Sequence, residues 1–177
     1  MSISKITKDL KDQNVDFPPV HLWNPELCEG QEFYIDRGGN WFYNDSPIKN
    51  YKLIKLFSTV LRKDNDDYFL VTPVEKVPVR VKLAPYKIID YFCYDNEIRL
   101  STNFDYDFIL NKTNTTKLIK DKDALIPIVH VRNNIDGFFD RNIYYNLINF
   151  ALEKKFIDKD SLYLPSLNTK HIIGKIA

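Results

Sequence analysis

The strongest strand-like alternation in this chain is YFLVTPVEKVPVRV, residues 68–81. Read as one strand, it puts Phe69, Val71, Pro73, Glu75 and Val77 on one face and Leu70, Thr72, Val74 and Lys76 on the other. Each face is apolar until a charge interrupts it. Pro73 forfeits a ladder hydrogen bond, which marks an edge or a bulge. Charges inside apolar strands are costly unless paired or used, so Glu75 and Lys76 are the first candidates for a site.

Elsewhere the pattern alternates between strand and helix periods. FYIDRGGNWFY, residues 33–43, predicts two short strands joined at Gly38, Gly39 and Asn40, which tolerate the positive φ of a tight hairpin. No helix-plus-lysine follows this glycine pair, so it is not a phosphate loop. After Ser46 and Pro47, which suit a helix entry, Leu53, Ile54, Phe57, Val60 and Leu61 recur at helical spacing. Pro78 separates the leading strand from another with Val79, Val81 and Leu83 inward. Further strands are expected at 86–94, 97–104 and 127–132, with another inside the lysine-rich stretch 111–123. A second helix is expected over 144–155, burying Leu147, Ile148, Ala151 and Leu152. Upstream, Ile3, Ile6 and Leu10 suggest a short amphipathic arm. FPPVHLWNP, residues 17–25, reads as an extended or polyproline path.

The two helices expose a repeat. WFYNDSPIKNYKLIKLF from Trp41 lies beside GFFDRNIYYNLINFA from Gly137 across a two-residue deletion, each followed by an acidic turn and a strand-like segment ending in proline. Turn, aromatic pair and helix agree in order, which favours duplication over chance likeness. The expectation is an α+β protein of two related halves, 1–83 and 84–177, each an antiparallel sheet with one main amphipathic helix and with a cleft between the halves.

Composition narrows the function classes. With 177 residues, 44% of them hydrophobic, the chain can bury a real core. Twenty-five basic against twenty-four acidic side chains leave +1, no global field for nucleic acid or an anionic membrane. The N-terminal stretch has no apolar signal region and no run reaches a membrane span, so a soluble, cytoplasmic protein is expected. Cys28 and Cys93 stand apart without metal or CxxC spacing and read as reduced thiols. His21, His130 and His171 are scattered, and neither GxSxG, Walker nor GxGxxG motifs occur, so no catalytic constellation and no metal site is expected. Asp105 and Asp107 read as solvated loop carboxylates.

The remaining candidates each carry two readings. His130 and Arg132 share one face of the strand IVHVR, either as adjacent ligand donors or on a solvent-facing strand with Arg132 paired to a nearby carboxylate. Glu75 and Lys76 are either site charges or a cross-strand salt bridge. Trp23, Trp41 and Tyr43 are either core or the stacking walls of a cleft. His21, between prolines, belongs at the surface.

PPVHLWNP at Pro18, WFYNDSPI at Trp41, LFSTVLR at Leu56, YFLVTPVEKV at Tyr68, APY at Ala84, STNF at Ser101 and IVHVR at Ile128 resemble, in order and spacing, the bacterial domain-of-unknown-function family 1285. The resemblance implies a duplicated α+β fold whose second half is pleckstrin-homology-like. It also implies an interdomain cleft suited to a small anionic, nucleotide-like ligand, with a role in signal transduction. A protein-interaction scaffold without a ligand is the alternative. Carried over position by position, the cleft would be lined by His21, Trp23, Trp41, Tyr43, Thr72, Glu75, Lys76, His130 and Arg132. In that picture Arg132 and Lys76 pair phosphate, Trp41 stacks a base and Glu75 orients the arginine or accepts from a ribose hydroxyl. No cofactor beyond a nucleotide-based ligand is implied.

Overall fold

The computed structural model describes residues 17–176, so the arm expected around Ile3, Ile6 and Leu10 lies outside the described residues. The chain forms two compact units, the first ending at Leu83 and the second beginning at Ala84.

The first unit holds β1 (Phe33–Ile35), β2 (Trp41–Tyr43), β3 (Ser46–Pro47), α1 (Tyr51–Thr59), β4 (Leu61–Asp64), β5 (Asp67–Val71) and β6 (Lys76–Val81). These strands form one sheet in the order β3-β2-β1-β6-β5-β4, with β1 and β6 parallel and every other pair antiparallel. The apolar period found at 53–61 spans two elements. Asn50, not Ser46, caps the helix, its side chain accepting from Leu53 N at 3.2 Å. The helix stops at Thr59, and Val60 and Leu61, both fully buried, belong to the bend and to β4. Phe57 projects from α1 onto the sheet, its ring 5.2 Å from Phe33 at 75° and 6.3 Å from Trp41. Burying side chains of this size stabilises the unit by about 1.5–3 kcal/mol each.

The stretch 68–81 is two strands, not one. Thr72, Pro73, Val74 and Glu75 form the turn of the β5–β6 hairpin, closed by Thr72 N donating to Glu75 O at 2.8 Å and by Glu75 N donating to Thr72 Oγ1 at 3.1 Å. Pro73 takes the second turn position, where its fixed φ is an asset. The residues that broke the strand alternation are therefore the hairpin itself. Nor is 17–25 wholly extended: Val20–Leu22 form a 3-10 turn, which proline at 19 permits because the ring sits ahead of the first helical residue.

The second unit carries two sheets. β7 (Tyr86–Tyr94), β8 (Glu97–Thr102), β9 (Asp107–Ile109), β10 (Thr116–Asp121), β11 (Ala124–Arg132) and β12 (Ile135–Phe139) order as β10-β11-β12-β7-β8-β9, two meanders joined by the parallel pair β12–β7. β9, with Asp107, and β12 were not expected from the sequence. After α2 (Arg141–Glu153) come β13 (Ile157–Asp158), β14 (Ser161–Ser166) and β15 (Thr169–Lys175), an antiparallel three-stranded sheet. Leu147 and Ala151, one helical turn apart, are buried, whereas Leu152 is exposed because it lies ~100° further round the helix.

Buried polar bonds join these two sheets. Ser166 Oγ, fully buried, donates to Leu110 O at 2.7 Å and accepts from Ile98 N at 3.0 Å, while Thr116 Oγ1 donates to Ile172 O at 2.6 Å. His171, also fully buried, shares a 3.1 Å hydrogen bond with Thr115 Oγ1 through Nδ1. Desolvation pushes the imidazole below its ordinary 6.5, against a smaller opposing effect from the Ser166 backbone.

Because the folded state disfavours the imidazolium, His171 contributes stability that is complete above 6.5 and is lost as pH falls through the lowered folded value. Thermal melts from pH 7.5 downward should show a loss of stability that is smaller in His171→Gln. Asp36 and Asp64 do not confuse the reading, since despite their burial the hydrogen bonds they accept hold both below 3.8. Identical pH profiles for the two proteins would rule His171 out as the origin.

Candidate functional site

A proline in the middle of the first sheet borders a cavity. On β6, Lys76 O accepts from Cys28 N at 2.8 Å and Lys82 N donates to Ile35 O at 2.9 Å, so backbone alternation turns Pro78 toward the same flank. Pro78 has no N–H to offer there. The neighbouring chain bridges Lys76 at Leu27 and is next in register at Phe33, opposite Val79. Residues 28–32 therefore loop past a step that β6 covers with Val77 and Pro78 alone, and Gly30 at φ +79° gives the turn its left-handed conformation. A cavity of about 760 Å³ opens at this interruption, with Glu32, Asn44, Asp67, Phe69, Pro78 and Arg80 in its walls. That volume is typical of small-molecule sites.

Arg80 is the organised cation of this cavity. Its Nε donates to Glu32 Oε1 at 2.7 Å and its guanidinium lies 4.5 Å from the centre of the Tyr34 ring. The ion pair and the ring contact restrain the guanidinium, while its Nη groups have no partner among the described residues and the side chain is 62% exposed. On the same face Phe69 pairs with Pro78, giving an apolar floor. Tyr43 backs the wall through its hydroxyl, which donates to Gln31 Oε1 at 3.1 Å.

The structure gathers several sequence candidates at another place. Arg62 Nη1 donates to Val20 O at 2.8 Å and to Trp23 O at 2.6 Å, tying the 3-10 turn that carries exposed His21, and half-buried Trp23 beyond it, to β4. Arg62 Nη2 and Lys76 Nζ both meet Asp64 Oδ2 at 2.8 Å, and Lys76 Nζ also lies 4.0 Å from the Phe69 ring centre. Lys76 is thus the cross-strand salt bridge of the two readings, and its aromatic neighbour is the cavity's Phe69. Thr72 and Glu75, 1% and 4% exposed, are turn residues. Trp41, 1% exposed, is core and has no open ring face for a base.

In the second unit His130 and Arg132 do not form a pair. A bulge at Val131 sets His130 opposite Asp136 and Arg132 opposite Ile135, adjacent residues that point to opposite faces of β12. Asn114 Nδ2 holds the bulge by donating to His130 O at 3.0 Å and Val131 O at 2.7 Å. Arg132, 8% exposed, donates from Nε to Tyr86 Oη at 2.8 Å, and His130 Nε2 donates to Asn133 O. Asp136 pairs with Lys117 at 3.0 Å.

Arg80, Glu32 and Asp67 were not singled out from the sequence. The available signal was Pro78 inside the alternation Val77, Val79, Val81, a proline that a central strand accepts only where its ladder opens. Among the described residues, no group of three His, Cys, Asp or Glu side chains is placed to hold a metal ion, and no helix is long and apolar enough to cross a membrane.

Fold and cavity together define a two-unit α+β protein with a ligand-sized basin in its first sheet. The family model for the N-terminal domain of the domain of unknown function DUF1285 matches residues 18–84, and the model for the C-terminal domain of the DUF1285 protein of unknown function matches residues 86–173. The chain belongs to the DUF1285 family. A DUF1285 family protein from Silicibacter pomeroyi DSS-3, known from a crystal structure, is 28% identical with a TM-score of 0.84, covering 97% of this chain and 95% of that one. Another, from Shewanella baltica OS155, is 29% identical with a TM-score of 0.56, covering 69% of this chain and 94% of its own. No curated protein matches.

Arg62→Ala should lower the unfolding free energy by about 3 kcal/mol, since two backbone carbonyls and Asp64 lose a largely buried charged donor. Arg62→Lys should recover only part, because an ammonium lacks the fork that reaches all three. Chemical denaturation measures both; a loss below 0.5 kcal/mol in the alanine variant, within the ordinary range of surface changes, would contradict this anchoring role. Arg132→Ala is likewise expected to destabilise, by about 1.5–3 kcal/mol, through the bond to Tyr86.

Proposed function

We propose that the protein is a binding module for a small ligand carrying an anionic group, phosphate or carboxylate, seated in the cavity of the first unit with Arg80 as its anion contact. The observation that carries the reading is the guanidinium itself. Stacked on Tyr34 and held at Nε by Glu32, it offers two unused Nη donors in a set plane, the arrangement that suits bidentate oxyanion recognition. Phe69 and Pro78 supply apolar surface for the rest of the molecule. A nucleotide-like ligand, with its phosphate on Arg80 and its base over this floor, is one member of the class, and sensing such a molecule is a role in signal transduction. The pleckstrin-homology-like reading of the second unit belongs to the same proposal, supported by its two three-stranded meanders followed by α2.

A thermal-shift screen of nucleotides, cyclic nucleotides, phosphate esters and small carboxylates tests this. A ligand at a hundred times its dissociation constant adds ~2.7 kcal/mol, a shift of several degrees for a protein of this size. Arg80→Ala should erase the shift while costing at most ~1 kcal/mol of intrinsic stability, because its ion pair is exposed. A hit that survives Arg80→Ala would remove Arg80 from the site, and a flat screen would move the case to a protein partner.

A further inference from the structure

We infer that the cavity takes a zwitterion, a short molecule with its anionic group on Arg80 and an ammonium on Asp67. The inference rests on the binding reading above and narrows its ligand. Register supplies the geometry. Tyr68 pairs with Val79, so the preceding residue of β5, Asp67, stands opposite Arg80 and on the same face. Both residues line the cavity. Arg80 leans the other way, across β1, to Glu32 and Tyr34. The guanidinium and the Asp67 carboxylate are thereby separated by one to two strand spacings, roughly 5–10 Å. Phe69 and Pro78, the next cross-strand pair on that face, flank this span two residues along the strands.

The charge census favours a cation in the ligand. Of the neighbouring carboxylates, Glu32 is neutralised by Arg80 and Asp64 by Arg62 and Lys76, while Asp45, in the turn after β2, also lines the cavity and adds to its negative charge. Among the described residues the Asp67 carboxylate has neither ion pair nor hydrogen bond, and its cross-strand neighbour on β4 is Asp64, another acid. An anion bound at Arg80 therefore meets an uncompensated negative charge about one strand away. An ammonium on a spacer of a few atoms converts that repulsion into an attraction, with the apolar surface of Phe69 and Pro78 alongside its methylenes. Specificity then lies in two named groups, Arg80 for any oxyanion and Asp67 for the amine.

The test is calorimetric titration of the full chain with three matched probes: 3-aminopropylphosphonate, propylphosphonate and propylammonium. The expected order places the zwitterion about tenfold tighter than propylphosphonate, the gain of one charge-assisted contact, with propylammonium weakest. Asp67→Asn should leave propylphosphonate binding equal or tighter and abolish the advantage of the zwitterion. Arg80→Ala should abolish binding of both phosphonates. Melting curves identify any variant that fails to fold, and Asp67→Glu, which keeps the charge, should retain the preference. Equal affinity for the two phosphonates, or a preference that persists in Asp67→Asn, overturns the zwitterion inference and leaves the anion site standing. Failure of every phosphonate to bind overturns both.

Discussion

A missing hydrogen-bond donor organises the first unit. β6 is the strand on which that sheet turns, antiparallel to β5 on one side and parallel to β1 on the other. A proline there removes the donor that would keep the parallel ladder continuous, and the chain answers by looping residues 28–32 away from the strand. Two apolar residues, Val77 and Val79, still face the core, so the sheet keeps its packing while its flank opens. The ladder resumes at Val79, which aims Arg80 toward Glu32 and Tyr34. Cavity and cation are two results of one backbone defect.

The second unit solves a different problem, the docking of a small sheet onto a larger one. Its three-stranded sheet meets the six-stranded one through buried polar bonds from Ser166, Thr116 and Thr115 as well as through apolar side chains. Buried polar groups are costly unless each finds a partner, so these bonds specify one docking position where apolar contact alone would tolerate sliding. His171 belongs to this set. Burial holds its imidazole below the ordinary value, which disfavours the charged form.

The residues that misled the sequence reading were informative for another reason. Pro73, Glu75 and Lys76 broke an alternating pattern, which is what a tight hairpin does when it lacks glycine. Only five glycines occur in the chain, and left-handed turn positions fall to Asn65, Asp95, Asn133 and even Lys122 and Lys159. The Asn133 turn hid β12, because two asparagines after IVHVR read as the end of a strand rather than the start of the next. Single-residue events were equally silent. The bulge at Val131 separates His130 from Arg132, and its cause is Asn114, sixteen residues away in sequence from His130 and reachable only after folding.

Hydrophobic period was enough to place two helices, most strands and a mixed α+β architecture, and the resemblance of ordered motifs placed the chain in its family, because spacing and motifs are local properties of the chain. The site was a different matter. Trp41 and Arg132 carry the residue types of ligand contacts, yet burial makes the first core and the bond to Tyr86 makes the second a strut. Arg80 looked like an ordinary outward residue of a strand, and Asp67 like part of an acidic turn. Only strand register sets them opposite each other, and only the gap beside Pro78 places them around open space. Register and cavity arise from pairings between residues far apart in the chain, which no local pattern encodes.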